Sequence, residues 1–187
     1  QLKKAYSLDR IIFIPVCSSP HKEAAFLASG EDRLNICKLA VSEYSGFSVS
    51  DIEIRRKGKS YTIDTLKELR KEFPNDEFFL ILGSDMLFYF TKWKGYREIL
   101  KDVVILAGAR KNGEYNALKD EAHKLCKEGG RVFVSEISVT QMSSTAIRMR
   151  IAQGGSCEDF LPSSVEAYIK EKGLYKAKGH ILDEARY

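Results

Sequence analysis

Short apolar runs that alternate with helical patterns are the feature that most constrains this chain. Arg10–Val16 (Arg-Ile-Ile-Phe-Ile-Pro-Val) reads as a buried strand that ends at Pro15. Glu77–Leu82, Val103–Ala107 and the shorter Arg131–Val134 read the same way, and Phe47–Ile54 alternates as a weaker strand. Between them, apolar residues recur at helical spacing over Asp32–Glu43, Thr62–Phe73, Glu114–Lys127, Ser144–Gln153 and Ser163–Lys172. Asp85–Phe90 and Tyr96–Leu100 are short helical pieces, and residues 1–6 read as the end of an amphipathic helix. Strands that alternate with helices predict an α/β fold with a mostly parallel sheet. The runs at 11–16, 78–82 and 103–107 are apolar on both faces, as required where helices cover both sides of a sheet. Ligands of such sheets sit beyond the carboxyl ends of strands. That rule selects Cys17–Lys22, Lys57–Thr62, Gly83–Asp85 and Gly108–Lys111.

A length of 187 residues with 44% hydrophobic and 30% charged residues suits one globular domain with a sizeable core. The net charge of +4 is compatible with anionic small molecules, and the basic residues are too scattered for a nucleic-acid surface. No apolar run approaches membrane-spanning length. Cys17, Cys37, Cys126 and Cys157 form no Cys-x-x-Cys, and His is limited to His21, His123 and His180, so no metal site is expected. Free, reduced thiols fit a cytoplasmic protein. A homo-oligomer is compatible with the sequence.

Several segments carry residue types with chemistry. Arg55–Leu66 runs from the weak strand through a basic Gly turn into a helix, with Ser60, Tyr61 and Thr62 at the joint. Hydroxyls and free amides at a helix start favour an anion. Ser143-Ser144-Thr145 opens a helix that carries Arg148, whose side chain can lean back over the first turn. Hydroxyls, amides, helix dipole and guanidinium then converge as a phosphate site, the plain alternative being a Ser N-cap with a surface Arg. Gly83-Ser84-Asp85 follows the strongest strand. There Gly admits a close ligand and Asp85 could hold ribose hydroxyls, or Asp85 could simply be an N-cap. Lys22 follows Pro20 and His21 in a loop that is either a phosphate contact or ordinary surface. Trp93, between Lys92 and Lys94, is either core or a platform for a planar, electron-poor ring. No acid–base constellation stands out, and phosphate transfer by positioning and charge neutralisation needs none.

In this order the motifs resemble bacterial nicotinate-nucleotide adenylyltransferase. They are Phe13-Ile14-Pro15 with Pro20-His21-Lys22, then Asp51-Ile52-Glu53 leading to Gly58-Lys59-Ser60-Tyr61-Thr62-Ile63-Asp64-Thr65-Leu66. Leu80–Asp85, Lys92-Trp93, Ser143–Arg148 and the closing Gly173-Leu174-Tyr175 follow. The resemblance spans residues 1–175 and leaves 176–187 as a C-terminal tail. It implies a Rossmann-like, doubly wound nucleotidyltransferase that joins nicotinate mononucleotide to the AMP part of ATP and releases pyrophosphate, with Mg²⁺. It further implies that Lys22 contacts the mononucleotide phosphate. Thr62, Trp93 and Lys94 hold the nicotinate. Gly83 and Asp85 lie on the ATP side, and Ser143, Ser144, Thr145 and Arg148 hold the ATP phosphates, with Thr145 and Arg148 acting in catalysis.

The sequence departs from the family in one major respect, besides smaller differences at Ser19 and at Gly108-Ala109-Arg110-Lys111. The family's Gly-Gly-Thr-Phe-Asp-Pro-x-His-x-Gly-His stretch, on its first strand and the helix after it, is absent. That strand is expected upstream of Gln1, and the chain as written is expected to be catalytically poor. Two rival readings remain open. One is a nucleotide-binding module without turnover. The other is an adenylyltransferase for a different phosphorylated acceptor.

Overall fold

Val104–Ala109 is buried at every position and forms the middle of a three-stranded parallel sheet. The computed structural model describes residues 1–18, 28–109, 114–138 and 142–176. In chain order the elements are α1 (Leu2–Ala5), β1 (Ile11–Phe13), α2 (Gly30–Val41), β2 (Phe47–Val49), α3 (Ile52–Arg56), α4 (Thr62–Glu72) and β3 (Phe79–Gly83). There follow α5 (Ser84–Phe88), a 3-10 turn (Phe90–Lys92), α6 (Tyr96–Asp102), β4 (Val104–Ala109), α7 (Glu114–Lys127), β5 (Arg131–Glu136), α8 (Ser144–Ala152) and α9 (Ser163–Glu171). All described strand pairs are parallel and helices flank them, which is the expected α/β class. No helix among the described residues is long and apolar enough to cross a membrane. The four cysteines are free thiols.

The chain divides into two compact units. The first holds Gln1–Asp9 and Lys59–Val139. Its sheet has the order β3-β4-β5. Ile105 and Leu106 are neighbours on β4, so they face opposite sides, and both are fully buried. On one side, Ile105, Ala107 and Ala109 join the core cluster beneath helices. α5 packs on α7, β3 and β4, while α7 packs on β4 and β5. Ile63, Leu87, Phe90, Ile99 and Leu118 join β4 in one core cluster. Arg70 of α4 staples the margin of this core. It bonds the Asp76 carbonyl at 2.6 Å and the Asp102 carboxylate at 3.0 Å, and its guanidinium lies 4.0 Å from the Phe78 ring centroid. α1 is anchored near the end of β5, where Tyr6 Oη lies 2.9 Å from Ser135 Oγ and the Gln1 amide exchanges two hydrogen bonds with the Ser138 backbone.

The second unit holds Arg10–Gly58 and Thr140–Tyr187. β1 pairs with β2 from Ile11↔Phe47 to Phe13↔Val49. α2 packs on β2 and on α9. Ser29 caps α2 by accepting from the Asp32 amide at 3.0 Å, and its hydroxyl donates back to Asp32 Oδ2 at 2.6 Å. Tyr168 of α9 donates to Asp32 Oδ1 at 2.9 Å and accepts from Asn35 Nδ2 at 3.1 Å. The Ser29 hydroxyl and then the Tyr168 hydroxyl hold the Asp32 carboxyl below its ordinary value. A depressed folded pKa stabilises the fold above the unfolded value and loses that contribution as pH falls through the folded one. Tyr168→Phe is therefore expected to lower the melting temperature at pH 7, with the gap to wild type closing below about pH 4, where the unfolded carboxyl protonates. A gap of constant size down to pH 2 in thermal melts would rule out the carboxylate as its source.

Several sequence expectations are corrected. The strand expected over Phe47–Ile54 stops at Val49, and Ile52–Arg56 is helical. Ser50 Oγ accepts from the Ile52 amide, the Arg55 amide donates to the Asp51 carbonyl, and Arg55 Nε pairs with Asp51 at 2.8 Å. Acidic residues at its start and Arg55 and Arg56 at its end suit the helix dipole. The basic Gly turn before α4 thus follows a helix, and Lys57–Thr62 does not directly follow a strand. β1 is shorter than the run 10–16, and β5 extends to Glu136. Full burial on both faces holds for β4 alone. Ile81 on β3 and Phe13 on β1 are each 40% exposed, and Phe133, in register with Ile81 through Leu106, is also exposed, so the described helices leave that side of the larger sheet partly open.

Candidate active site

In the first unit, the start of α4 and the turn before α6 are in contact. Gly95 adopts a left-handed φ of 69°, and a Cβ there would meet Ile63 Cγ1 at 3.1 Å. Gly95 therefore permits both the turn and its close approach to α4. Tyr61 is the N-cap residue, with no side-chain cap bond of its own. Its carbonyl accepts from the amides of Asp64 at 3.0 Å and Thr65 at 3.2 Å. Thr62 and Ile63 are the first two helical residues, whose amides have no intrahelical acceptor. Trp93 follows the 3-10 turn directly, with its ring centroid 5.5 Å from that of fully buried Phe90. It packs on the core cluster while remaining half-buried, so part of the ring is core and part is accessible. Its Nε1 is buried and has no partner among the described residues. Its main-chain amide donates to the Phe90 carbonyl at 2.9 Å, so that amide is already used within the turn.

Lys94 leans back over this wall. Its Nζ lies 3.2 Å from Asp64 Oδ2 and 4.5 Å from the Tyr61 ring centroid. Thr62, Trp93 and Lys94, chosen from sequence as one group, are thus brought together. Asp64 and Tyr61 join them. No local signal pairs Asp64 with Lys94, because they are far apart in sequence.

The carboxyl ends of the same sheet carry Gly83, in register with Gly108 on β4, which is in register with Ser135 on β5. A Cβ at Gly108 would collide with the Ile137 side chain, so that glycine serves packing. Gly83 is the N-cap of α5, and Asp85 is exposed as the second helical residue rather than the cap. Ser84 between them is buried.

In the second unit, Ser143 caps α8 by accepting from the Ala146 amide at 3.0 Å. Ser144 and Thr145 are exposed in the first turn. Arg148 leans back and donates from Nη2 to Thr145 Oγ1 at 3.2 Å. The Ser144 and Thr145 amides lie at helix positions without an intrahelical acceptor, so hydroxyls, amides and a guanidinium share one exposed end. Tyr175 is half-buried nearby; burial pushes its phenol up, against the pull of the Arg148 and Arg33 guanidiniums.

Lys22 lies outside the described residues, as do Arg110, Lys111 and the tail from 177 onward. The borders of the Lys22 segment are described. Arg33 of α2 bonds the Val16 carbonyl, the Cys17 carbonyl at 3.0 Å and the Ala28 carbonyl at 3.2 Å. It ties both borders to one helix, a role with no signal in the sequence. Among the described residues no group of three His, Cys, Asp or Glu side chains is placed to hold a metal ion.

Residues 1–150 match the family described as cytidylyltransferase-like. A probable nicotinate-nucleotide adenylyltransferase of Shouchella clausii is 40% identical over 171 residues, covering 91% of this chain and 83% of that relative. The chain belongs to the nicotinate-nucleotide adenylyltransferase family. A second member, from Geobacter, is 35% identical over 94% of this chain and 88% of its own length. Membership makes the chain a nucleotidyltransferase. The fold agrees with that of a solved Plasmodium falciparum nicotinic acid mononucleotide adenylyltransferase complexed with NaAD. The TM-score is 0.69 at 17% identity, covering 93% of this chain and 87% of that one.

Proposed function

We propose that the protein transfers AMP from ATP to nicotinate mononucleotide, giving deamido-NAD and pyrophosphate. A mononucleotide phosphate oxygen attacks the α-phosphorus of ATP, and the bond to the β-phosphate breaks. ATP enters as its Mg²⁺ complex, the cation being carried by the triphosphate. The observation that carries this reading is kinship with nicotinate-nucleotide adenylyltransferases along 91% of the chain.

The residues have consistent parts in this reaction. Trp93 backs the nicotinate ring while Thr62 and the free amides of the α4 start face its carboxylate, and Lys94 completes the wall through its pairing with Asp64. Lys22 takes the mononucleotide phosphate. Gly83 and Asp85 serve the ATP side. Ser143, Ser144, Thr145 and Arg148 receive the charge that builds on the departing pyrophosphate. None of these groups needs to transfer a proton, because the attacking phosphate is already ionised. Positioning and charge neutralisation suffice.

Pyrophosphate release from ATP and nicotinate mononucleotide by the purified protein tests the proposal, with ligand binding measured in parallel. Release that depends on both substrates is the expected result. Binding of both without release would instead favour a non-catalytic nucleotide-binding module, and release with only another phosphorylated acceptor would change the substrate.

A further inference from the structure

We infer that the Lys94–Asp64 ion pair determines specificity: it screens the Asp64 charge, so that the acid mononucleotide is accepted in preference to its amide. This rests on the reading of the α4 start as the wall that faces the nicotinate.

Asp64 is the third residue of α4, directly after the two residues whose amides lack intrahelical acceptors. An acidic residue in a first helical turn is favoured by the helix dipole. The same position sets a negative charge within one turn of any carboxylate held by those amides. Left alone, Asp64 would repel the ligand that the amides attract. The carboxamide of the amide mononucleotide is neutral at that position and would feel no such repulsion.

Lys94 meets this condition. It approaches Asp64 from the turn that carries Trp93, and its Nζ is held by both the carboxylate and the Tyr61 ring. The Gly95–Ile63 contact fixes the backbone beneath it. Both partners are substantially exposed, 56% for Lys94 and 38% for Asp64, so the pair contributes little to folding stability and its consequence is local charge. A comparable exposed pair, Lys67–Glu98 at 3.1 Å, lies one helical turn further along α4 and serves as an internal comparison.

The test is the ratio of kcat/KM for nicotinate mononucleotide to that for nicotinamide mononucleotide. Active-site concentration cancels in this ratio, so partial misfolding of a variant does not alter it. Like charges within one turn at a partly exposed site predict a ratio about tenfold lower in Lys94→Met. In the double variant Lys94→Met with Asp64→Asn the ratio should return to within about threefold of wild type, and Lys67→Met should leave it unchanged. A ratio that falls in Lys94→Met but does not recover in the double variant overturns the inference, because Lys94 would then touch the carboxylate itself. An unchanged ratio in Lys94→Met, with wild type preferring the acid, overturns the inference alone. A wild-type enzyme that accepts neither mononucleotide overturns the underlying reading, and the inference falls with it.

Discussion

Replacing Arg148 with Met is expected to lower kcat by about 10²–10³ fold while moving the melting temperature by no more than about 2 °C. The two expectations come from different observations. Arg148 reaches back along α8 to Thr145 Oγ1 at 3.2 Å, at an exposed helix start. α8 has no buried residues, so a side chain on it carries little of the core. The guanidinium therefore carries little of the packing, and the proposed role gives it the ATP phosphates. In the proposed role the cation sits where pyrophosphate leaves and acts more strongly on the transition state than on bound ATP, so kcat should fall more than KM for ATP rises. Lys in place of Arg should recover only part of the loss, because an ammonium cannot reproduce the planar fork. The proposed role fails if kcat changes less than threefold, or if the whole loss lies in KM for ATP. Circular dichroism and thermal melts on the same preparations check that folding is not the cause.

How much of this was legible beforehand depends on whether the signal is local. The local geometry of the α8 start was, because Ser143 and Ala146, like Thr145 and Arg148, are three residues apart and side chains in helices lean toward the N-terminus. β4 was legible as a continuous apolar run without polar alternation. The segment 51–56 was not. Ile52 and Ile54 alternate as in a strand, and the pattern is too short to distinguish the two periods. The decision came from capping and charge, with Ser50 and Asp51 at one end and Arg55 and Arg56 at the other. Long-range pairs left no trace at all. Arg33 gathers carbonyls from both borders of the Lys22 segment, and Lys94 finds Asp64 across the fold. A lone Arg or Lys in a sequence reads as solvated surface until its partners are in place.

Trp93→Ala is expected to raise KM for nicotinate mononucleotide by at least tenfold, with KM for ATP changed less than threefold. The ring is half-buried against Phe90, so truncation also removes packing and should cost about 2 kcal/mol of stability, below the range for a fully buried Trp. Stability loss alone would lower the active fraction, which reduces the apparent kcat and leaves both KM values in place, so a selective rise in the mononucleotide KM isolates the ring's contact with ligand. Trp93→Phe separates the contributions further. It keeps an aromatic face and deletes Nε1, which is buried and unpartnered among the described residues. The substitution strands no polar partner among the described residues, so its cost is the smaller ring's lost packing. The Phe variant should therefore match wild type in stability within about 1 kcal/mol and keep KM for the mononucleotide within about fivefold. If the Phe variant instead loses mononucleotide affinity as fully as the Ala variant, Nε1 rather than the ring face makes the contact. If Ala raises both KM values equally, Trp93 supports the fold and does not touch the mononucleotide.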